Sequence, residues 1–560
     1  MRKLILSVAL FFLSLIVCSQ VAPFKYFIEF TDKNESPYSI NRPEEFLSER
    51  SLQRRANQYI PVTEEDLPVN PSYVTQVANT GVTLITRSRW FNGITIYTTD
   101  ASKLNVIASF PFVKKIVKNQ GIINNYEPVE DKFRLEHSFS SIPSAEPKNL
   151  KSSPSGYNYG PSFRQIQMLN GNLLHEQGFR GQGKVIAVLD AGFLQVDRLK
   201  AFDSLWQNNQ ILGWRDFVNP GSNVFEEYIH GMMVLSVLAG NYPGYIIGTA
   251  PKADYWLLRS EQFDTEYLIE EYNWVCAAEF ADSVGADIIT SSLGYTTFDD
   301  PAMNHTCADM DGHTTLITRG ANIAAQKGMA VINSVGNEGG NQGWRCVSAP
   351  ADGDHVFGIG AVDADGLYAG FSSVGVVDGD RIKPNVAAMG RNAVVFWTND
   401  SIVTASGTSF SCPIIAGLTA CLWQARPNAT PSRIYKTIEE SCSHYASPDS
   451  LTGFGIPDFS RAMTLLSISE KSESISKVFP NPFTRNFTIR YHSSFSEKIK
   501  ISIYDYTGLL VYEDKNITCR IGENQIQVQN LINFSRGIYL VRLQGDSFST
   551  IFRVIKSNNL

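Results

Sequence analysis

Three apolar runs, Lys184–Asp190, Asp287–Ser292 and Met329–Val335, stand among stretches patterned as helix at Glu266–Val284 and Ile317–Lys327. A strand that is apolar at consecutive positions offers no face to water, so both faces must be covered. Strands of this kind separated by helices predict an α/β fold, a mostly parallel sheet flanked by helices. In such sheets the ligand crevice forms at the carboxyl ends of the strands. The first run ends there on a carboxylate, Asp190.

The remaining length exceeds what one core can use, and the patterning changes along it. Arg2 and Lys3 precede the apolar run Leu4–Val17, and Val17 and Ser19 suit a cleavage site before Gln20, so residues 1–19 are expected to be a signal peptide. No other run could span a bilayer, and no transmembrane anchor is expected. Residues 20–136 mix strands (Lys25–Phe30, Val82–Arg87, Ile94–Thr98) with helices (Pro43–Ala56, Tyr73–Asn79) as a small α/β domain. Residues 137–162, rich in Ser, Pro, Asn and Gly, read as a linker before the main domain at 163–466. A second, polar linker is expected at 467–477. From 478 to 560, strand-like runs broken by turn residues predict a C-terminal β-sandwich, with Ile499, Ile501 and Ile503 alternating inward. A net charge of −7 with no basic run excludes general nucleic-acid binding. Cys307 and Cys346, in polar glycine-rich stretches, are the best disulfide candidates for an oxidising compartment, although spacing leaves the pairing open. Cys276, Cys412 and Cys421 fall in apolar helical runs and read as buried thiols.

Cutting an amide through a serine needs an exposed hydroxyl, a histidine to take its proton, a carboxylate to orient that histidine, and donors for the oxyanion. Asp190 supplies a carboxylate held rigidly by a strand. His230 opens the apolar stretch His230–Gly240, placing an imidazole at a helix start. Ser409 lies in Ser406-Gly407-Thr408-Ser409 before the apolar helix Ile414–Ala425, where its backbone N–H can face an oxyanion and Pro413 suits a first turn. Asn337, in Val335-Gly336-Asn337-Glu338-Gly339-Gly340 after the third apolar run, offers a side-chain amide. Singly, these read as a turn aspartate, a structural histidine, an N-cap serine and a turn asparagine. Their chain order, Asp then His then Ser, is that of the subtilisin triad.

These motifs resemble the subtilase family of serine peptidases. Val188-Leu189-Asp190-Ala191-Gly192, His230-Gly231, and Gly407-Thr408-Ser409-Phe410-Ser411-Cys412-Pro413 match its three catalytic motifs, and Gly248-Thr249-Ala250-Pro251-Lys252-Ala253 matches a family turn. The resemblance implies a serine endopeptidase acting on proteins or peptides, with catalytic Asp190, His230, Ser409 and Asn337. It implies substrate binding through Ser292, Leu293, Gly294 and Gly336, the first three as a strand to which an extended peptide adds. It also implies that segment one is a propeptide, an inhibitor of its own peptidase removed by a cut near Ser138 to Gly160. Phe479-Pro480-Asn481-Pro482-Phe483, Tyr504-Asp505-Tyr506-Thr507-Gly508, Gly537-Ile538-Tyr539-Leu540 and Val554-Ile555-Lys556 resemble the sorting domain of type IX secretion substrates. That resemblance implies the type IX machinery as a partner, passage through periplasm and outer membrane, and a secreted or cell-surface destination.

Three residues depart from the pattern: Ala191 removes a hydroxyl beside the carboxylate, Met232 replaces the usual Thr, and Phe410 sets a ring beside the substrate's P1 side chain. No cofactor or catalytic metal is required, although Asp309-Met310-Asp311-Gly312 leaves room for a structural calcium ion. The rival reading is a binding protein, an adhesin built on an inactive subtilase scaffold.

Overall fold

The computed structural model describes residues 24–119, 156–379, 381–473, 477–493, 497–520, 522–545 and 549–557. The expected signal peptide and most of the first expected linker lie outside them.

The first unit runs β1 (Lys25–Phe30), α1 (Glu49–Asn57), α2 (Pro71–Ala78), β2 (Thr83–Ser88), β3 (Gly93–Tyr97), α3 (Ala101–Ala108) and β4 (Val113–Lys118). Its sheet is antiparallel in the order β2-β3-β1-β4. Ile28, Phe30, Ile94, Ile96 and Ile107 are buried together on one side of it. On the other side Phe27 stacks on Tyr272 of the main domain at 4.2 Å. Sequence reading missed α3 and β4. The α3 cap was there to be seen, since Asp100 accepts from Ser102 N at 2.9 Å. In β4 the lysines of Val-Lys-Lys-Ile-Val-Lys hide the alternation that marks a strand.

The main domain is built on seven parallel strands, β5 (Val185–Asp190), β6 (Ile211–Asp216), β7 (Asp254–Arg259), β8 (Ile288–Ser291), β9 (Ala330–Ser334), β10 (Val356–Val362) and β11 (Val386–Met389). Their order is β11-β10-β9-β8-β5-β7-β6. The chain leaves β5 toward one edge for β6 and β7, then crosses to the other side for β8. The reversal opens a crevice beyond the carboxyl end of β5, where Asp190 stands.

Helices α4 (His230–Ala239), α5 (Ile269–Val284), α6 (Leu316–Gln326) and α7 (Thr408–Ala425) cover the sheet. Every residue of α4, and of α7 from Thr408 to Trp423, is buried, as expected of helices apolar on all sides. Helix α7 starts six residues before the apolar run that announced it, because its polar first turn looks like a loop. Pro413 is therefore its sixth residue and not in its first turn. Proline has no N–H to donate to the carbonyl four residues back. That carbonyl belongs to Ser409, and Ser292 Oγ donates to it at 2.9 Å instead. Ser292→Ala should strip the carbonyl of its partner and lower stability by about 1–3 kcal/mol in a urea titration.

Residues 156–162, expected as linker, are packed. Tyr159 is buried, and Ser162 Oγ donates to the carbonyl of Ile247 at 3.3 Å. His175 Nε2 bonds the Thr249 carbonyl at 2.9 Å, so Nε2 carries the proton and Nδ1 accepts from the Tyr159 hydroxyl at 2.8 Å. Burial pushes His175 down to about 4. The unfolded ring takes a proton near 6.5 and the folded ring resists it, so stability is complete above that pH and falls as pH drops toward 4. The loss should be on the order of 3 kcal/mol. Melting curves from pH 7 to pH 4 should show a steeper decline for the parent than for His175→Gln.

After α8 (Pro431–Ser441) comes α9 (Phe459–Glu473), which runs through most of the second expected linker. The C-terminal unit packs the sheet β12-β13-β16 (Lys477–Phe479, Phe487–Ser493, Gly522–Val528) on β15-β14-β17-β18 (Leu510–Cys519, Glu497–Tyr504, Gly537–Gln544, Ser549–Lys556). Ile499, Ile501 and Ile503 point into its core. No helix among the described residues is long and apolar enough to cross a membrane.

Candidate active site

Asp190 closes β5, clamped between β8 and β7, and is fully buried. Its Oδ1 accepts from His230 Nδ1 and from Ala191 N, both at 2.8 Å. His230 is the first residue of α4, and Gly231 explains how the helix can start against the strand. A Cβ there would lie 2.3 Å from the Gly192 carbonyl oxygen and 2.8 Å from Asp190 Cβ. Nδ1–H donates to the carboxylate, which leaves Nε2 as the basic nitrogen. Asp190 Oδ2 is buried with no hydrogen-bond partner among the described residues, on the carboxylate that Ala191 leaves without a neighbouring hydroxyl.

Ser409 is the second residue of α7, and its Oγ donates to the Ser292 carbonyl at 3.4 Å. Asn337 Oδ1 accepts from Thr408 N at 2.9 Å and from Thr408 Oγ1 at 3.0 Å. The amide is thereby fixed with Nδ2 turned the other way. A Cβ on Gly407 would stand 3.5 Å from Asn337 Nδ2 and 3.7 Å from Ser409 N. Two nitrogen donors therefore border the space that this glycine keeps open, as an oxyanion site would require. Gly336 holds φ +98°, in the left-handed region, with Ser348 Oγ and Ser373 Oγ crowding it at 2.8 and 2.9 Å from a would-be Cβ. It shapes the turn that aims Asn337.

The segment Ser292 to Gly294 continues beyond β8. The Ser292 and Leu293 side chains are buried, and Gly294 would carry a Cβ only 2.1 Å from Ser348 Oγ. What this segment can offer a ligand is its backbone. Thr408, Ser348 and Asn333, which donates to the Leu293 carbonyl at 2.8 Å, were missed in the sequence. Only Asn333 gave a signal, as an amide inside an apolar run. Phe410, expected beside the P1 side chain, is fully buried in the main core, 6.3 Å from the imidazole. Met232 is likewise core.

Cys307 and Cys346 form a disulfide. The carboxylates proposed for calcium serve local turns: Asp309 accepts from Thr306 N and Oγ1 at 2.7 Å, and Asp311 from His313 N and Thr314 N at 3.0 and 2.8 Å.

Residues 181–455 match the description "Subtilase family". The main domain is a subtilase. Residues 25–132 match the Bacteroidota peptidase S8 propeptide domain, and residues 477–557 the secretion system C-terminal sorting domain. The thermostable alkaline protease of Halalkalibacterium halodurans is 28% identical over 53% of this chain and 72% of its own length. Subtilisin NAT of Bacillus subtilis subsp. natto is 26% identical over 50% of this chain, which spans 65% of that relative. The subtilisin of Bacillus pumilus is 25% identical over 50% of this chain and 92% of its own length. The main domain is thus of the subtilisin type, with a propeptide domain in front and a secretion sorting domain behind.

The propeptide holds the subtilase through buried charge. Asp282 on α5 accepts from Arg55 Nη2 at 2.6 Å and pairs with Arg54 and Arg89 as well. Arg55 also grips Asp66 with both terminal nitrogens, at 3.1 and 3.0 Å. Glu279, one turn before Asp282, accepts from Ser88 Oγ, Arg89 N and Trp90 N at 2.6, 2.8 and 3.2 Å.

Proposed function

We propose that this subtilase is an endopeptidase that cuts proteins through an acyl-enzyme on Ser409. An extended peptide adds to the backbone of Ser292 to Gly294, which brings its carbonyl carbon to Ser409 Oγ. As Oγ attacks, His230 Nε2 takes the hydroxyl proton, and Asp190 Oδ1 holds the resulting imidazolium through Nδ1–H. The carbonyl oxygen becomes an oxyanion between Asn337 Nδ2 and Ser409 N. His230 then returns the proton to the leaving amine, and water repeats the sequence on the ester. No metal or cofactor enters.

The observation that supports this most is the pair of donors bordering the space at Gly407, beside a histidine already bonded to a buried aspartate. The orphaned Oδ2 and the loss of a hydroxyl at position 191 do not touch an atom that reacts. The same geometry disfavours an inert adhesin, which has no need of an aimed amide. Fluorophosphonate labelling tests the reading, with Ser409 expected to be the modified residue and an unreactive Ser409 counting against it. Asn337→Ala should lower kcat by about 10²–10³ with KM little changed, because the amide meets the oxygen only once it carries charge.

A further inference from the structure

Helix α1 of the propeptide ends in an unusual way. The residue after its C-cap is Tyr59, at φ +58° in the left-handed region, where glycine is the usual choice. Holding a side chain in that conformation costs roughly 1–2 kcal/mol. A strained non-glycine residue far from the chemistry calls for a reason to keep its ring.

The ring is used by the C-terminal domain. The guanidinium of Arg542, on β17, lies over the Tyr59 ring with its carbon 4.2 Å from the centroid. Arg542 Nε donates to Ser549 Oγ at 3.2 Å. Its Nη2 is buried with no hydrogen-bond partner among the described residues. Tyr59 also lines a cavity of about 820 Å³ where three units meet. Tyr59 and Ile60 of the propeptide, Tyr435 and Lys436 of the subtilase, and Gln544 and Ser549 of the sorting domain all line it. Gln58 fixes the propeptide side by donating to the Gly328 carbonyl at 2.8 Å.

We propose that the propeptide clasps the sorting domain through Tyr59 and Arg542, so that the sorting domain is docked in the precursor and freed when the propeptide leaves. This rests on residues 25–119 being a removable propeptide. The contact is suited to opening. Tyr59 is 43% exposed and Arg542 only partly buried, so the cation–π pair is a weak one, and the buried unpaired nitrogen offsets part of it. Departure of the ring returns the guanidinium to water, so release costs little. Maturation would then have an order, with the inhibitor removed first and the sorting domain second.

The test uses the full chain carrying Ser409→Ala, with a site-specific protease sequence inserted between Asn119 and Gly156. The readout is the rate at which trypsin separates the sorting domain from the subtilase. In the precursor, Tyr59→Ala and Arg542→Ala should each raise that rate about two- to fivefold. The double variant should be no faster than either single, and Tyr59→Phe should behave as the parent. Cutting out and removing the propeptide should raise the rate similarly and make Arg542→Ala silent. Should Arg542→Ala speed release equally with and without the propeptide, the variant is loosening the sandwich itself and the clasp is refuted. An unchanged rate in every variant refutes it as well. Self-processing of the Ser409→Ala chain would instead count against Ser409 as nucleophile.

Discussion

Ser409→Ala is expected to lower peptide turnover by about 10⁶-fold, the loss that the handling of a subtilisin triad as a unit leads one to anticipate. The loss should be chemical and not structural. The hydroxyl makes one long bond, 3.4 Å to the Ser292 carbonyl, while the anchoring bond in this region runs the other way, from Ser292 Oγ to the Ser409 carbonyl. The variant keeps the second bond and should unfold within about 1 kcal/mol of the parent. It should also retain its propeptide covalently, as shown by intact mass. Comparable peptide cleavage by variant and parent would remove the acyl-enzyme from consideration.

Asp282→Ala should weaken the hold of the propeptide roughly a thousandfold. One buried carboxylate serves Arg54, Arg55 and Arg89, and deleting it leaves their charge buried with Asp66, Glu279 and the more distant Asp287 to compensate. Breaking a buried pair from one side costs about 3–5 kcal/mol. Asp282 sits near the end of α5, and its ion pairs among the described residues all reach into the propeptide, so catalysis by the mature enzyme should be unaltered. The expected result is a shortened lag before full activity and loss of the propeptide on gel filtration after cleavage. Co-elution equal to that of the parent would show that the apolar face around Phe27 and Tyr272, and not the charge, carries the affinity.

The sheet was legible because β5, β8 and β9 are apolar without interruption, and Asp190, His230 and Ser409 were legible because each is framed by glycine and an apolar run. The start of α7 was not. Thr408, Ser409 and Ser411 are polar, and only the packed structure shows that the Thr408 and Ser411 side chains turn inward to serve Asn337 and the helix itself. The interface was illegible for a related reason. Asp282 in Ala-Asp-Ser-Val reads as an ordinary charge on the wet side of a helix, and nothing local distinguishes it from one that faces three arginines. The strands of segment one that alternate were found, and the lysine-rich one was not.

The crossed bonds between Ser292 and Ser409 carry a mechanical meaning. The stretch that would grip a peptide and the turn that carries the attacking oxygen are fastened to each other, each through its own carbonyl, because a proline four residues on left one of those carbonyls open. A peptide that docks on the first is thereby already in register with the second. On the proposed mechanism, bond and nucleophile would be aligned before any peptide arrives, and a change at position 413 that restored the missing N–H would leave Ser292 free to let the two drift apart.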